Sequence, residues 1–245
     1  TILSQLLSGI LCIFFIIKKV PILRLKKADF QIHYEVIASH LSIALPMAFQ
    51  MSIIAIGSLM LQFALNGLGA ASVAAYTASQ KIESIATMPL GSFGTAMATY
   101  AAQNYGARKI SRIRKGVFQC ILMSGSFSIL SGAINVVAGS QLTSIFVGSQ
   151  ETEVLSLSHT YLVISGCFYF ALALLFIYRF TLQGLGKSFI PTVAGVMELI
   201  MRAIGALVLT GAFGFAGACA SNPLAWIGAC IPLACSYYRT MKRLN

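Results

Sequence analysis

The stretch Gln103–Gly116 reads QNYGARKISRIRKG, with five cations and no acid. A nucleic-acid patch, a phosphate cradle or a hinge between two membrane spans could each use such a segment. Its flanks choose among them. Residues 73–101 before it and 117–138 after it are apolar runs, each long enough to cross about 30 Å of hydrocarbon as a helix. Its glycines form neither a Walker nor a dinucleotide motif, and Tyr105 is the one aromatic residue available for stacking. The segment therefore reads as a connection between spans, with its cations at the lipid headgroups.

The rest of the chain agrees. Hydrophobic residues make up 58% of the 245 and charged residues 9%, a balance that few soluble folds could hide from water. Seven runs have the length and apolarity of spans: 1–17, 43–65, 73–101, 117–138, 160–183, 190–211 and 215–238. Backbone groups in lipid must be satisfied within the segment, so each is expected to be a helix. The predicted class is an all-α membrane protein with seven transmembrane helices. The opening run has no basic leader and no small-residue cleavage site, which argues against a signal peptide. Such an opening is expected of a chain that begins inside or just before a span.

The net charge of +11 is distributed unevenly. Lys18, Lys19, Arg24, Lys26 and Lys27 follow the first run, and the quoted stretch follows the third. Lys187 follows the fifth, and Arg239, Lys242 and Arg243 end the chain. The intervening connections, 66–72, 139–159 and 212–214, carry no Lys or Arg; Glu151 and Glu153 lie in the second of them. Basic loops stay on the cytoplasmic side, so the C-terminus is predicted to be cytoplasmic. The six cysteines all fall in apolar runs and none has zinc-ligand spacing, so neither a disulfide framework nor a metal site is expected. No nucleic-acid partner is expected. Residues 18–42 read as a long amphipathic linker along the membrane surface.

Several stretches resemble the multidrug and toxic compound extrusion (MATE) family. They are GLGAASVAAYTASQKIESIATMPLGSFGTAMATYAAQNYGARKISRIRKG (67–116), LPMAFQMS (45–52), LQGLGKS (182–188), GVMELIMR (195–202) and SNPLAWIGA (221–229), in collinear order. The resemblance implies that 1–17 is the sixth helix of a twelve-helix transporter, 18–42 its cytoplasmic interlobe linker, and 43–245 its six-helix C-terminal lobe. It also implies an N-terminal lobe outside this sequence, a cell (inner) membrane location, and antiport of small, often cationic, organic compounds against Na⁺ or H⁺. Rocking-type alternating access about a central cavity would carry this out. No other cofactor is implied. In one branch of the family two acids of this lobe bind Na⁺; the matching positions here are Ile54 and Leu172, so the coupling ion is expected in the other lobe. A lipid-linked oligosaccharide flippase of the same superfamily and a seven-helix receptor are the alternatives. An enzyme is not expected, since the spans hold no metal cluster or nucleophile–base pair.

Ionisable residues within spans are costly and tend to face a cavity or a partner. Lys81, Glu83, Arg179, Glu198 and Arg202 qualify. Glu198 and Arg202 stand i, i+4, which fits either an intrahelical ion pair or a substrate-facing role. Lys81 and Glu83 face different sides of one helix and could line the cavity or pair at the interface. Arg179 is expected to snorkel toward the cytoplasmic end. Of the uncharged polar residues, Gln50 and Gln80 are the candidates for the cavity wall, whereas Asn222 suits a hydrogen bond between helices.

Overall fold

The apolar runs become helices because no other segment satisfies its own backbone in lipid. The structure is a computed structural model that describes residues 2–20, 23, 31 and 33–244. The linker residues Arg24, Lys26, Lys27, Phe30 and Ile32 lie outside the described residues. The helices are α1 (Ile2–Lys19), α2 (Tyr34–Asn66), α3 (Ala70–Gly106), α4 (Ile110–Val147), α5 (Thr152–Gly166), α6 (Tyr169–Gly184), α7 (Phe189–Ile204) and α8 (Thr210–Arg243). A π turn, Gly205–Leu209, joins the last two. No strand occurs among the described residues.

Helices α1, α2 and α4 and the run Phe189–Arg243 are long and apolar enough to cross a membrane. The α5–α6 pair, bent by 50° at Cys167–Phe168, passes as one broken span. The 55-residue run Phe189–Arg243 reverses at Gly214, whose φ of 57° and ψ of −133° lie outside the helical region. Its two legs then pack antiparallel: a Cβ on Gly205 would lie 2.6 Å from the Ser221 Cα, and one on Gly228 would lie 2.7 Å from the Met201 Cγ. By length and apolarity the described residues thus hold four candidate spans, or five with the bent pair counted as one; α3, which carries Gln80, Lys81 and Glu83, is not among them.

The chain divides into Thr1–Ser42 and Ile43–Asn245, the boundary falling inside α2. In the first unit, α1 exposes apolar side chains around its circumference, as a helix surrounded by lipid would. The second unit holds two apolar clusters. One gathers Ile113, Val117, Leu182, Leu185 and Met241 at the basic end, and the other gathers Leu65, Val154 and Phe215 at the opposite end. Arg114 ties the basic end together by donating from Nη2 to the Met241 carbonyl at 2.6 Å.

One reading of the sequence changes. The connection expected over 139–159 shrinks to Gly148–Glu151, because α4 runs on to Val147 and α5 starts at Thr152. Polar residues at the end of α4 bond to their own helix instead of opening a loop: Thr143 Oγ1 donates to Gly139 O at 2.8 Å and Ser144 Oγ to Gln141 O at 2.7 Å. Residues 34–42, at the end of the expected linker, form the first part of α2. All six cysteines are free, and Cys219 is buried whereas Cys12, Cys167 and Cys235 are exposed. Apolar Cys needs no core when the surrounding solvent is lipid.

Candidate functional site

A cavity of about 530 Å³ opens between four helices of the second unit. From α2 it takes Ile54, Ser58 and Gln62, from α3 Tyr76 and Gln80, from α7 Arg202, and from α8 Asn222 and Trp226. Each is delivered by helical spacing. Ser58 and Gln62 stand i, i+4 on α2, Tyr76 and Gln80 i, i+4 on α3, and Asn222 and Trp226 i, i+4 on α8.

Behind this wall Tyr161 of α5 gathers the polar groups. Its hydroxyl donates to Glu83 Oε2 at 2.5 Å. It accepts from Gln80 Nε2 at 3.1 Å and from Asn222 Nδ2 at 3.2 Å. One donor and two lone pairs are thus all used. Gln80 spends its other amide hydrogen on the Tyr76 hydroxyl at 2.8 Å, and the two tyrosine rings meet edge to face at 5.3 Å. Tyr161 itself is fully buried, and one Glu83 oxygen, Oε1, is buried without a partner.

Tyr161→Phe would strand Gln80, Asn222 and Glu83 together. Each buried polar group left unsatisfied costs about 1–3 kcal/mol. We expect the variant to unfold several degrees below the unmodified protein in a detergent thermal-shift assay. An unchanged midpoint would show that the hydroxyl is not holding this network.

The charged residues take different places. Arg202 is 6% exposed, and its Nη1 donates to the Ile54 carbonyl at 3.2 Å and to Ser58 Oγ at 3.5 Å. Its Nε has no partner. Gly57 leaves room for it: a Cβ there would lie 3.2 Å from both Cδ and Nη1 of Arg202. Glu198 is not paired with Arg202. It takes the guanidinium of Arg179, which reaches across from α6 and forms the one ion pair among the described residues. Arg179 therefore does not snorkel to the end of its helix; it is 6% exposed, because a carboxylate on the neighbouring helix offers it closer compensation than the headgroups would.

The structure thus brings Gln80 and Arg202 to the cavity, with Glu83 one layer behind Tyr161. The other candidates lie elsewhere. Lys81 is on the exposed face of α3, its Nζ 5.6 Å from the centroid of the Phe146 ring. Gln50 is buried beside α6, where its Oε1 accepts from Gln183 Nε2 at 3.2 Å. Glu198 is committed to Arg179. Sequence reasoning overlooked Tyr161 and Trp226. The available signal for Tyr161 was an aromatic hydroxyl just inside an apolar run, which must find partners when lipid offers none.

Comparison with known proteins gives a consistent set of likenesses. The MatE family model matches residues 46–208. The probable multidrug resistance protein YoeA of Bacillus subtilis (strain 168) is 27% identical over 169 residues, which are 67% of this chain and 35% of that protein. Among solved structures, an outward-facing multidrug resistance MATE family transporter of the MOP superfamily superposes with a TM-score of 0.88 at 16% identity, over 99% of this chain and 55% of that one. The Vibrio cholerae MATE transporter VcmN in its bent form gives a TM-score of 0.78 at 20% identity, over 89% and 49%. The chain therefore spans about half the length of the solved structures, and the curated match covers about a third of that relative.

Proposed function

Because the chain belongs to the MatE family, whose members are multi-pass membrane transporters and not enzymes, we propose that it forms the substrate-binding half of an exporter of amphipathic organic compounds. The cavity walled by Gln80, Asn222, Trp226 and Arg202 carries the reading, since polar groups at span depth are kept where they face a site. The cavity is completed by a second, N-terminal lobe, and alternating access proceeds by rocking of the two lobes, driven by Na⁺ or H⁺. The likeness to YoeA, a probable multidrug resistance protein, supports drugs as the cargo.

Coupling through the other lobe is supported by what surrounds Ile54. Its carbonyl accepts from Arg202, and a small cation beside a guanidinium would be repelled. Leu172 is buried in the apolar cluster at the basic end. Transport assays with the chain joined to its N-terminal lobe test the function: cells expressing that two-lobe protein should accumulate less of at least one amphipathic dye than cells expressing its Gln80→Leu variant. Equal accumulation across a panel of such dyes would sink the proposal.

The basic end is placed in the cytoplasm of the inner membrane by the positive-inside rule. Ser111→Cys should react with a membrane-impermeant maleimide only after the membrane is opened, and Gln150→Cys in intact cells. The reverse pattern would invert the topology.

A further inference from the structure

Arg202 is the one ionised side chain that lines the cavity among the described residues. Each acid that could neutralise it is otherwise placed. Glu198, one turn earlier on α7, is held by Arg179 on α6. Glu83 lies behind the wall, bonded to Tyr161, and acts on Arg202 only through the longer-range field, with no direct ion pair. The remaining cation nearby, Lys81, faces away toward Phe146. A buried guanidinium at span depth is costly unless something compensates its charge. Its protein partners compensate it only in part: two neutral acceptors meet Nη1, and Nε–H is buried without any.

The lining amides carry no charge, and each already donates within the wall. Gln80 bonds both tyrosines, Asn222 bonds Tyr161, and Gln62 donates to Asn66 Oδ1 at 3.2 Å. Arg202 is therefore the one charged donor of the cavity among the described residues. Beside them stand the Trp226 indole and the Tyr76 ring, a wall suited to an aromatic or aliphatic body.

Resting on the reading of this cavity as the substrate site, we infer that it takes a carboxylate-bearing amphipathic compound, with the carboxylate on the Arg202 guanidinium and the apolar body against Trp226. This differs from the cationic cargo that the family resemblance implies. Guanidinium and carboxylate pair through charge-assisted bonds in a forked geometry, whereas an ammonium group at the same position would meet repulsion.

Trp226, the one tryptophan of the chain, reports occupancy directly. Dansylglycine, a carboxylate, and dansylethylenediamine, an amine of similar size, are titrated into the full chain in uncharged detergent, and energy transfer from tryptophan to dansyl is read. Dansylglycine should bind at least about tenfold more tightly than the amine, since a bond to a charged partner contributes on that scale. Arg202→Gln should abolish that preference, Arg202→Lys should keep part of it, and Trp226→Phe should remove the signal. Equal or tighter binding of the amine overturns the inference while leaving a binding cavity in place. No transfer from either probe overturns both the inference and the cavity reading. Undiminished dansylglycine affinity in Arg202→Gln, or a signal that survives Trp226→Phe, also overturns it. The two probes on the unmodified protein decide the matter even if Arg202→Gln does not fold.

Discussion

Glu198→Ala is expected to destabilise the chain by about 3–5 kcal/mol, because it strands the Arg179 guanidinium in the helix interface. Both partners of the pair are buried, and the Nε of Arg179 already lacks a hydrogen-bond partner, so the carboxylate is its main compensation. The α6–α7 contact should open first, and the loss would be visible as a lower unfolding midpoint in detergent and poor yield from membranes. The double change Arg179→Met with Glu198→Met should recover most of the loss, because a buried pair replaced by apolar groups of similar volume is often neutral or better. A double variant no more stable than Glu198→Ala would show that the pair contributes more than mutual neutralisation. Gln in place of Glu198 should fall between, since it keeps an acceptor but loses the charge. None of these changes touches a residue that lines the cavity, so the expected defect is in stability rather than in probe preference.

That pairing also marks the limit of what the sequence discloses. The helical type of the spans was legible because lipid imposes one rule on every backbone group, and length with apolarity is its direct signature. The gathering of Arg108–Lys115 where α3 meets α4 was legible for a similar reason, because charges are kept out of the hydrocarbon independently of packing. Partner choice was not. Glu198 and Arg202 have the spacing of an intrahelical pair, but spacing along one helix says nothing about a cation arriving from another. Arg179 belongs to a span whose bend at Cys167–Phe168 no local motif announced, and that bend helps decide where the residues of α6 point. For Gln50 and Gln80 the residue type was the same and the outcome opposite: Gln80 turns to the tyrosines at the cavity, and Gln50 to Gln183 in the interface. Polarity within a span announces that a partner exists, and the three-dimensional packing decides which.

Gly184→Val is expected to prevent α3 and α6 from packing at all. A Cβ at Gly184 would collide with the Ala98 carbonyl oxygen, and the Ala98 Cα and carbonyl carbon lie only 3.0 Å from it. Backbone cannot rotate aside as a flexible side chain can, so the helices must separate along their length. Separation would dismantle the apolar cluster at the basic end, to which α3 contributes Leu90, Met97 and Ala101 and α6 contributes Leu175, Ile177 and Leu182. Even Gly184→Ala should cost several kcal/mol, within the range of strong overpacking or beyond it. Gly91 supplies the control. It lies in α3, and a Cβ there meets nothing within 4 Å. Gly91→Ala should leave the unfolding midpoint unchanged or raise it slightly, because alanine gains about 0.5–1 kcal/mol over glycine inside a helix. If Gly184→Ala and Gly91→Ala unfolded at the same temperature, the close approach of α6 to Ala98 would not be a feature of the folded protein. If Gly184→Ala alone collapsed, backbone contact between these two helices would be established as what sets their spacing.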